Sequence, residues 1–137
     1  MTAFRVDHIG VAVRSIDQAL DVYRALGLEV AHRERVESQG VETALLPVGE
    51  SRLELLEPTS ADSAVGRFLA RRGPGLHHIC LAVPDVAAAL AQLSRRGFRL
   101  IDSAPVPGAM GRRVAFLHPE AAHGVLLELS EDPGSAP

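Results

Sequence analysis

Four residues of this chain combine a metal-ligating side chain with a recurring position. His8 opens the run Asp7-His8-Ile9-Gly10-Val11-Ala12-Val13, and His78 holds the same place in His77-His78-Ile79-Cys80-Leu81-Ala82-Val83, seventy residues later. Glu54 lies within Leu53-Glu54-Leu55 and Glu128 within Leu127-Glu128-Leu129, a separation of 74. A carboxylate flanked by leucines on a strand is costly to bury unless something meets its charge. Two neutral imidazoles with two carboxylates are a donor set for a divalent cation. The assembly would be neutral and would leave coordination positions open for an oxygen ligand. A lone His or Glu on a strand carries no such message. Here both types recur in the same slot of two copies.

The elements that must position these groups show the same duplication. Ser15-Ile16-Asp17 falls on Asp85-Val86-Ala87, Leu20 on Leu90, and Leu26-Gly27-Leu28 on Arg96-Gly97-Phe98. A fixed offset across strand, helix and turn signals reads as an internal repeat. A strand alternates its faces. His8, Gly10 and Ala12 therefore share one face and Ile9, Val11 and Val13 the other, with His78, Cys80 and Ala82 set against Ile79, Leu81 and Val83 in the second copy. The histidine face is cleared of bulk, and the apolar face is available to a helix.

In the first half, residues 5–13 read as a strand and Ser15 as the N-cap of a helix with the stripe Ile16, Leu20, Tyr23 and Leu26, closed by Gly27. Strands over 28–36, 41–48 and 52–57 follow, the last stopped by Pro58. The segment 59–75 carries a short helix capped by Ser60 or Ser63, with the stripe Val65, Phe68 and Leu69. In the second half a strand over 77–83 leads to a helix opened at Pro84-Asp85, striped by Val86, Leu90 and Leu93 and ended by Gly97. Strands over 98–101, 112–117 and 125–129 follow, separated by loops over 102–111 and 118–124. The class is α+β: two tandem βαβββ modules, 4–58 and 76–130, joined by the linker helix of 59–75 within a single domain, 1–137, with a flexible tail at 131–137.

The chain is 137 residues long, so each half is too small for a robust core alone. It has no apolar run long enough to cross a bilayer, and no signal peptide is expected. A net charge of −3 argues against a nucleic-acid footprint. The single cysteine, Cys80, excludes an internal disulfide and fits a reducing cytoplasm. All fourteen basic residues are arginine, a bias that base composition explains, and lysine chemistry such as a Schiff base is therefore absent. Among the other titratable groups, His77 points away from the His78 face and is read as structural. His32 sits in a charged, exposed strand. His118 either lines the site or caps a loop, and His123 shares that loop. Cys80 has no second cysteine beside it and is not read as a nucleophile.

The paired βαβββ plan with one His and one acidic ligand per module resembles the vicinal oxygen chelate superfamily. Within it the chain is similar to the methylmalonyl-CoA epimerases. The likeness is carried by Asp7–Val13, Gln39-Gly40-Val41, Leu53–Pro58, Asp62-Ser63-Ala64-Val65-Gly66, Gly75-Leu76-His77-His78-Ile79, Phe116-Leu117-His118-Pro119 and Gly124–Leu129, which span nearly the whole chain. It implies a curved mixed sheet around a metal cleft. It also implies a metal held by His8, Glu54, His78 and Glu128, with Co2+ as the ion or Mn2+, Ni2+, Zn2+ or Mg2+ in its place. The implied substrate is methylmalonyl-CoA and the implied assembly a cytoplasmic homodimer, with neither nucleic acid nor membrane as partner. Some epimerases carry Gln in the slot of Glu54.

One departure concerns proton transfer. Several bacterial members of the family place a Glu two residues after the Val of Gln-Gly-Val, where this chain has Thr43, with Glu42 one residue earlier. A one-residue shift moves a side chain to the other face. Either the strand is bulged there or the second base differs. The expected reaction removes the C2 hydrogen of methylmalonyl-CoA on one face and returns a proton on the other through an enolate, with Glu128 and Glu42 as the candidate proton-transfer groups. A glyoxalase I-like isomerase uses the same ligand set and is the rival enzyme. An extradiol dioxygenase would keep only three ligands. A metal-free binding or resistance module of this fold would have lost one.

Overall fold

The computed structural model describes residues 4–131. It divides into two compact units. One holds residues 8–77; the other holds the described residues up to Asp7 together with those from His78 onward.

The first unit contains β1 (Arg5–Ala12, entering the unit at His8), α1 (Ile16–Ala25), β2 (His32–Val36), β3 (Val41–Val48), β4 (Ser51–Pro58) and α2 (Ala64–Arg72). Its strands run in the order β2-β3-β4-β1. β1 is parallel to β4, while β2–β3 and β3–β4 are antiparallel. Ser15 caps α1 as expected, its side chain accepting from the Gln18 N–H. Val13, Ile16, Leu20, Ala44, Leu46 and Leu55 form the core between α1 and one face of the sheet. Tyr23 packs against it, but Leu26 does not: it is 74% exposed, because it is already the C-cap and lies past the last buried turn. Gly27 follows with φ +96°, a left-handed position that costs a glycine little. β2 begins at His32 rather than at residue 28; Leu28 and Val30 instead pack against the α1 core before the strand pairs. Of the two serines proposed as the cap of the linker helix, Ser63 serves, accepting from the Gly66 N–H.

The second unit contains β5 (Gly75–Ala82, entering the unit at His78), α3 (Val86–Arg95), β6 (Val106–Pro107), β7 (Arg113–Leu117) and β8 (Leu127–Ser130), with strand order β5-β8-β7-β6. β5 is parallel to β8, repeating β1 with β4; β8–β7 and β7–β6 are antiparallel. Asp85 caps α3 by accepting from the Ala88 N–H. Val83, Val86, Leu90, Ala115, Leu117 and Leu129 make the corresponding core. Each unit is thus a βαβββ module.

Two expectations fail here. Residues 98–101 do not form a strand; Leu100 makes only an isolated bridge with Leu117, while Phe98 and Ile101 are exposed. The second strand of this module is the two-residue β6, inside the stretch read as a loop. Glu131 is no free tail either. Its side chain accepts from the Val86 N–H at 2.7 Å, and its N–H donates to the Arg113 carbonyl. Residues 132–137, the rest of the expected tail, lie outside the described residues.

Candidate functional site: two buried His–Glu pairs

In the first unit, Gly10 lies beside Glu54 across the β1–β4 ladder, so the alternation places His8, Gly10, Ala12, Glu54 and Leu56 on one face. The β3–β4 register adds Thr43 and Leu45, opposite Leu56 and Glu54. Val11, Val13, Leu53 and Leu55 occupy the other face, under α1. His8 and Glu54 are both buried, and His8 Nε2 stands 3.2 Å from Glu54 Oε1.

The second unit repeats this in its own residues. Cys80 lies beside Glu128 across the β5–β8 ladder, and Phe116 lies opposite Glu128 in β7. His78, Cys80, Glu128, Ser130, Val114 and Phe116 therefore share a face, while Leu81, Leu127, Leu129, Ala115 and Leu117 pack toward α3. His78 Nε2 is 3.0 Å from Glu128 Oε1, and the edge of the Phe116 ring meets the imidazole at a centroid distance of 5.6 Å.

These spacings fit a metal. Two donors each roughly 2.1 Å from one ion and at a right angle about it lie about 3.0 Å apart. An Nε2–H donated to the carboxylate has a similar length, and a buried carboxylate is costly unless a cation meets its charge. All four groups are of ligating type and buried. A divalent cation would offset the charge of such a pair.

The remaining sequence candidates fall elsewhere. The β2–β3 and β3–β4 registers run without interruption, so there is no bulge at Glu42. Glu42 lies with Ala44 and Leu46 on the α1 side of the sheet, opposite to Glu54, and its Oε2 is 3.4 Å from Arg33 Nη2. Arg33 also donates to Asp17 at 2.8 Å, a hydrogen bond that holds the Asp17 carboxyl below the ordinary carboxylate range and raises the guanidinium's own pKa. The structure thus puts Glu42 in a surface ion-pair group rather than beside Glu54. Thr43 is on the Glu54 face, buried, with its hydroxyl 3.4 Å from the Glu34 carbonyl. His118 caps a loop: its Nδ1 accepts from the Glu120 N–H at 3.1 Å. His77 stacks edge-on with Phe68, His32 pairs with Glu34, and His123 takes the left-handed residue after the turn Pro119–Ala122. Cys80 is fully buried.

Sequence reasoning missed two groups. Glu57 and Glu131, three residues beyond Glu54 and Glu128, accept the first N–H of α1 and of α3. Asp7, read only as a repeat position, is completely buried and accepts from Arg112 Nη1 at 2.6 Å and Arg5 Nη1 at 3.2 Å. The Glu pair was visible as a second carboxylate at constant spacing; the Asp7 contact spans 105 residues and left no local signal.

Comparison with known proteins agrees with this architecture. Residues 7–116 match the model of the glyoxalase/bleomycin resistance protein/dioxygenase superfamily. The uncharacterized protein YqjC of Bacillus subtilis is 45% identical over 95% of this chain and 94% of its own length. The ethylmalonyl-CoA/methylmalonyl-CoA epimerase of Cereibacter sphaeroides is 35% identical over 93% of this chain and 97% of its own. Among solved structures, a methylmalonyl-CoA epimerase in complex with methylmalonyl-CoA and NH4+ superposes with a TM-score of 0.93 at 44% identity, covering 98% of each chain.

Proposed function

The chain belongs to the methylmalonyl-CoA epimerase family of the glyoxalase/bleomycin resistance protein/dioxygenase superfamily, and we propose that it interconverts (2R)- and (2S)-methylmalonyl-CoA by moving the proton on C2. The observation that carries this reading is the near-complete structural match to the methylmalonyl-CoA complex. The repeated buried His–Glu pair supports it chemically.

The hydrogen on C2 is acidified by two neighbours, a thioester and a carboxylate. Its removal leaves an enolate, and stabilising that charge is the hard part. We assign His8, Glu54, His78 and Glu128 as the ligands of one divalent ion, with Co2+ first among the candidates and Mn2+, Ni2+, Zn2+ and Mg2+ after it. Such an ion, when bound, supplies Lewis-acid stabilisation of developing negative charge on oxygen. The imidazoles hold; a ligating nitrogen has its lone pair committed and cannot also take a proton. Each carboxylate has a second oxygen beyond the one beside its histidine, so Glu128 is assigned one proton transfer. For the other face of C2, Glu42 is on the wrong side of its strand and the Thr43 hydroxyl is no base near neutral pH. We assign that transfer to Glu54, the counterpart of Glu128 in the first module. The assembly we propose is a homodimer.

The experiment is deuterium wash-in. Metal-restored protein with methylmalonyl-CoA in deuterated water should place deuterium at C2 while interconverting the epimers, and metal-depleted protein should do neither. Turnover of the methylglyoxal–glutathione hemithioacetal with no exchange into methylmalonyl-CoA would replace this reading with the glyoxalase I-like one.

A further inference from the structure

The second unit carries polar groups for which folding has no evident use. Arg112 has a side chain only 12% exposed, and its Nε is buried with no hydrogen-bond partner. Ser130 is buried on the Glu128 face of β8, and its Oγ also has no partner. The two are neighbours by register. Ser130 lies opposite Val114, and Arg112 precedes Val114 by two residues in extended backbone. A diagonal neighbour across such a ladder is within reach of an arginine side chain.

The repeat shows what these positions need for packing alone. Leu45 faces Glu54 as Phe116 faces Glu128. Counting outward, Thr43 corresponds to Val114, Val41 to Arg112 and Leu56 to Ser130. The first copy fills the last two places with buried Val and Leu. An apolar solution therefore exists, and the second copy departs from it at two adjacent points, both toward hydrogen-bond donors.

The guanidinium is also held in place. Asp7 engages Nη1 at 2.6 Å, on the other side from the Nε–Nη2 edge. That edge is the planar fork that matches a carboxylate. Arg5 shares Asp7 at 3.2 Å, so two guanidinium groups meet one carboxylate.

We propose that Arg112, positioned by Asp7, and Ser130 form the anchor for the free carboxylate of the substrate's acyl group. This rests on the epimerase reading for the substrate's identity. It assigns selectivity for malonyl-type over neutral acyl thioesters to residues that are not metal ligands.

The test compares methylmalonyl-CoA with propionyl-CoA, which has the same CoA arm and no free carboxylate, as ligands of the metal-loaded full chain by calorimetry. The parent should favour methylmalonyl-CoA. Ser130→Ala, which breaks no hydrogen bond within the protein, should weaken methylmalonyl-CoA binding about tenfold and leave propionyl-CoA within about twofold. Arg112→Gln should cost about a hundredfold on methylmalonyl-CoA alone, in KM more than in kcat. Arg112→Lys keeps the charge without the fork and should recover only part. If Arg112→Gln fails to fold, Ser130→Ala and Arg112→Lys decide. Equal losses for both ligands would move the anion contact to the CoA phosphates, and unchanged binding in every folded variant would leave no anchor here; either result overturns the proposal. A parent that discriminates the two ligands but exchanges no C2 hydrogen would overturn the epimerase reading and leave the anchor standing.

Discussion

Glu131 Oε1 accepts the backbone N–H of Val86 at 2.7 Å, where α3 begins. Glu57 Oε1 does the same for Ile16, where α1 begins, at 2.8 Å. The first N–H groups of a helix have no partner within it, and the positive end of its dipole favours an anion. In each module a carboxylate at the end of the last strand thus fastens the helix start. The residue three places earlier on that strand is Glu54 or Glu128, so the fastening also fixes the strand end that carries the candidate ligand.

Glu57→Ala and Glu131→Ala should each lower stability by about 1–2 kcal/mol, in the range for losing a charged helix-end acceptor. Urea unfolding should show a lower midpoint with an unchanged slope. A midpoint that does not move for either variant would mean that water replaces the carboxylate at no cost.

Metal affinity should separate from chemistry. His8→Ala and His78→Ala should weaken binding of a divalent ion, measured by equilibrium dialysis with elemental analysis, and excess metal should restore part of the activity. Loading the parent should raise its melting temperature in proportion to the logarithm of free metal, because the ion binds the folded state. A melting temperature indifferent to both metal and chelator argues for the metal-free module.

Glu128→Gln keeps an oxygen ligand and removes a base. It should retain metal and substrate yet lose C2 exchange by about 10²-fold or more. Near-parental exchange with normal metal binding would reduce Glu128 to a ligand.

Glu42→Gln should leave exchange within about twofold of the parent, because Glu42 faces the α1 side and pairs with Arg33. Its effect should be a small loss of stability that fades at high salt, as for other exposed ion pairs. A hundredfold drop in exchange would restore Glu42 as a base and contradict the strand register.

What could be read from residues alone follows the reach of each signal. The repeat placed His8 and His78 on faces cleared of bulk, and alternation along one strand suffices for that. Ser15 was readable as a cap, Ser63 as one of two candidates with Ser60, and Pro84-Asp85 as a helix opening, because a cap acts within three residues. Phe98 to Ile101 looked like a strand because its composition suits one; it bridges β7 only at Leu100–Leu117, while Val106-Pro107 makes a ladder with Val114 and Arg113, a choice made by tertiary contacts. The Glu42 question could be posed from sequence but not answered, since a bulge is a property of two strands. Arg112 read as one of fourteen arginines until its contact with Asp7 appeared.

The boundary between the two compact units falls on the peptide bond between Asp7 and His8, inside a single strand. Asp7 serves the unit that begins again at His78, where it meets Arg112, while His8 serves the unit it opens. In evolutionary terms the contact ties the two copies together. A gene shortened to the second copy would lose the carboxylate that holds Arg112, and one shortened to the first would keep an Asp7 with no Arg112 to hold.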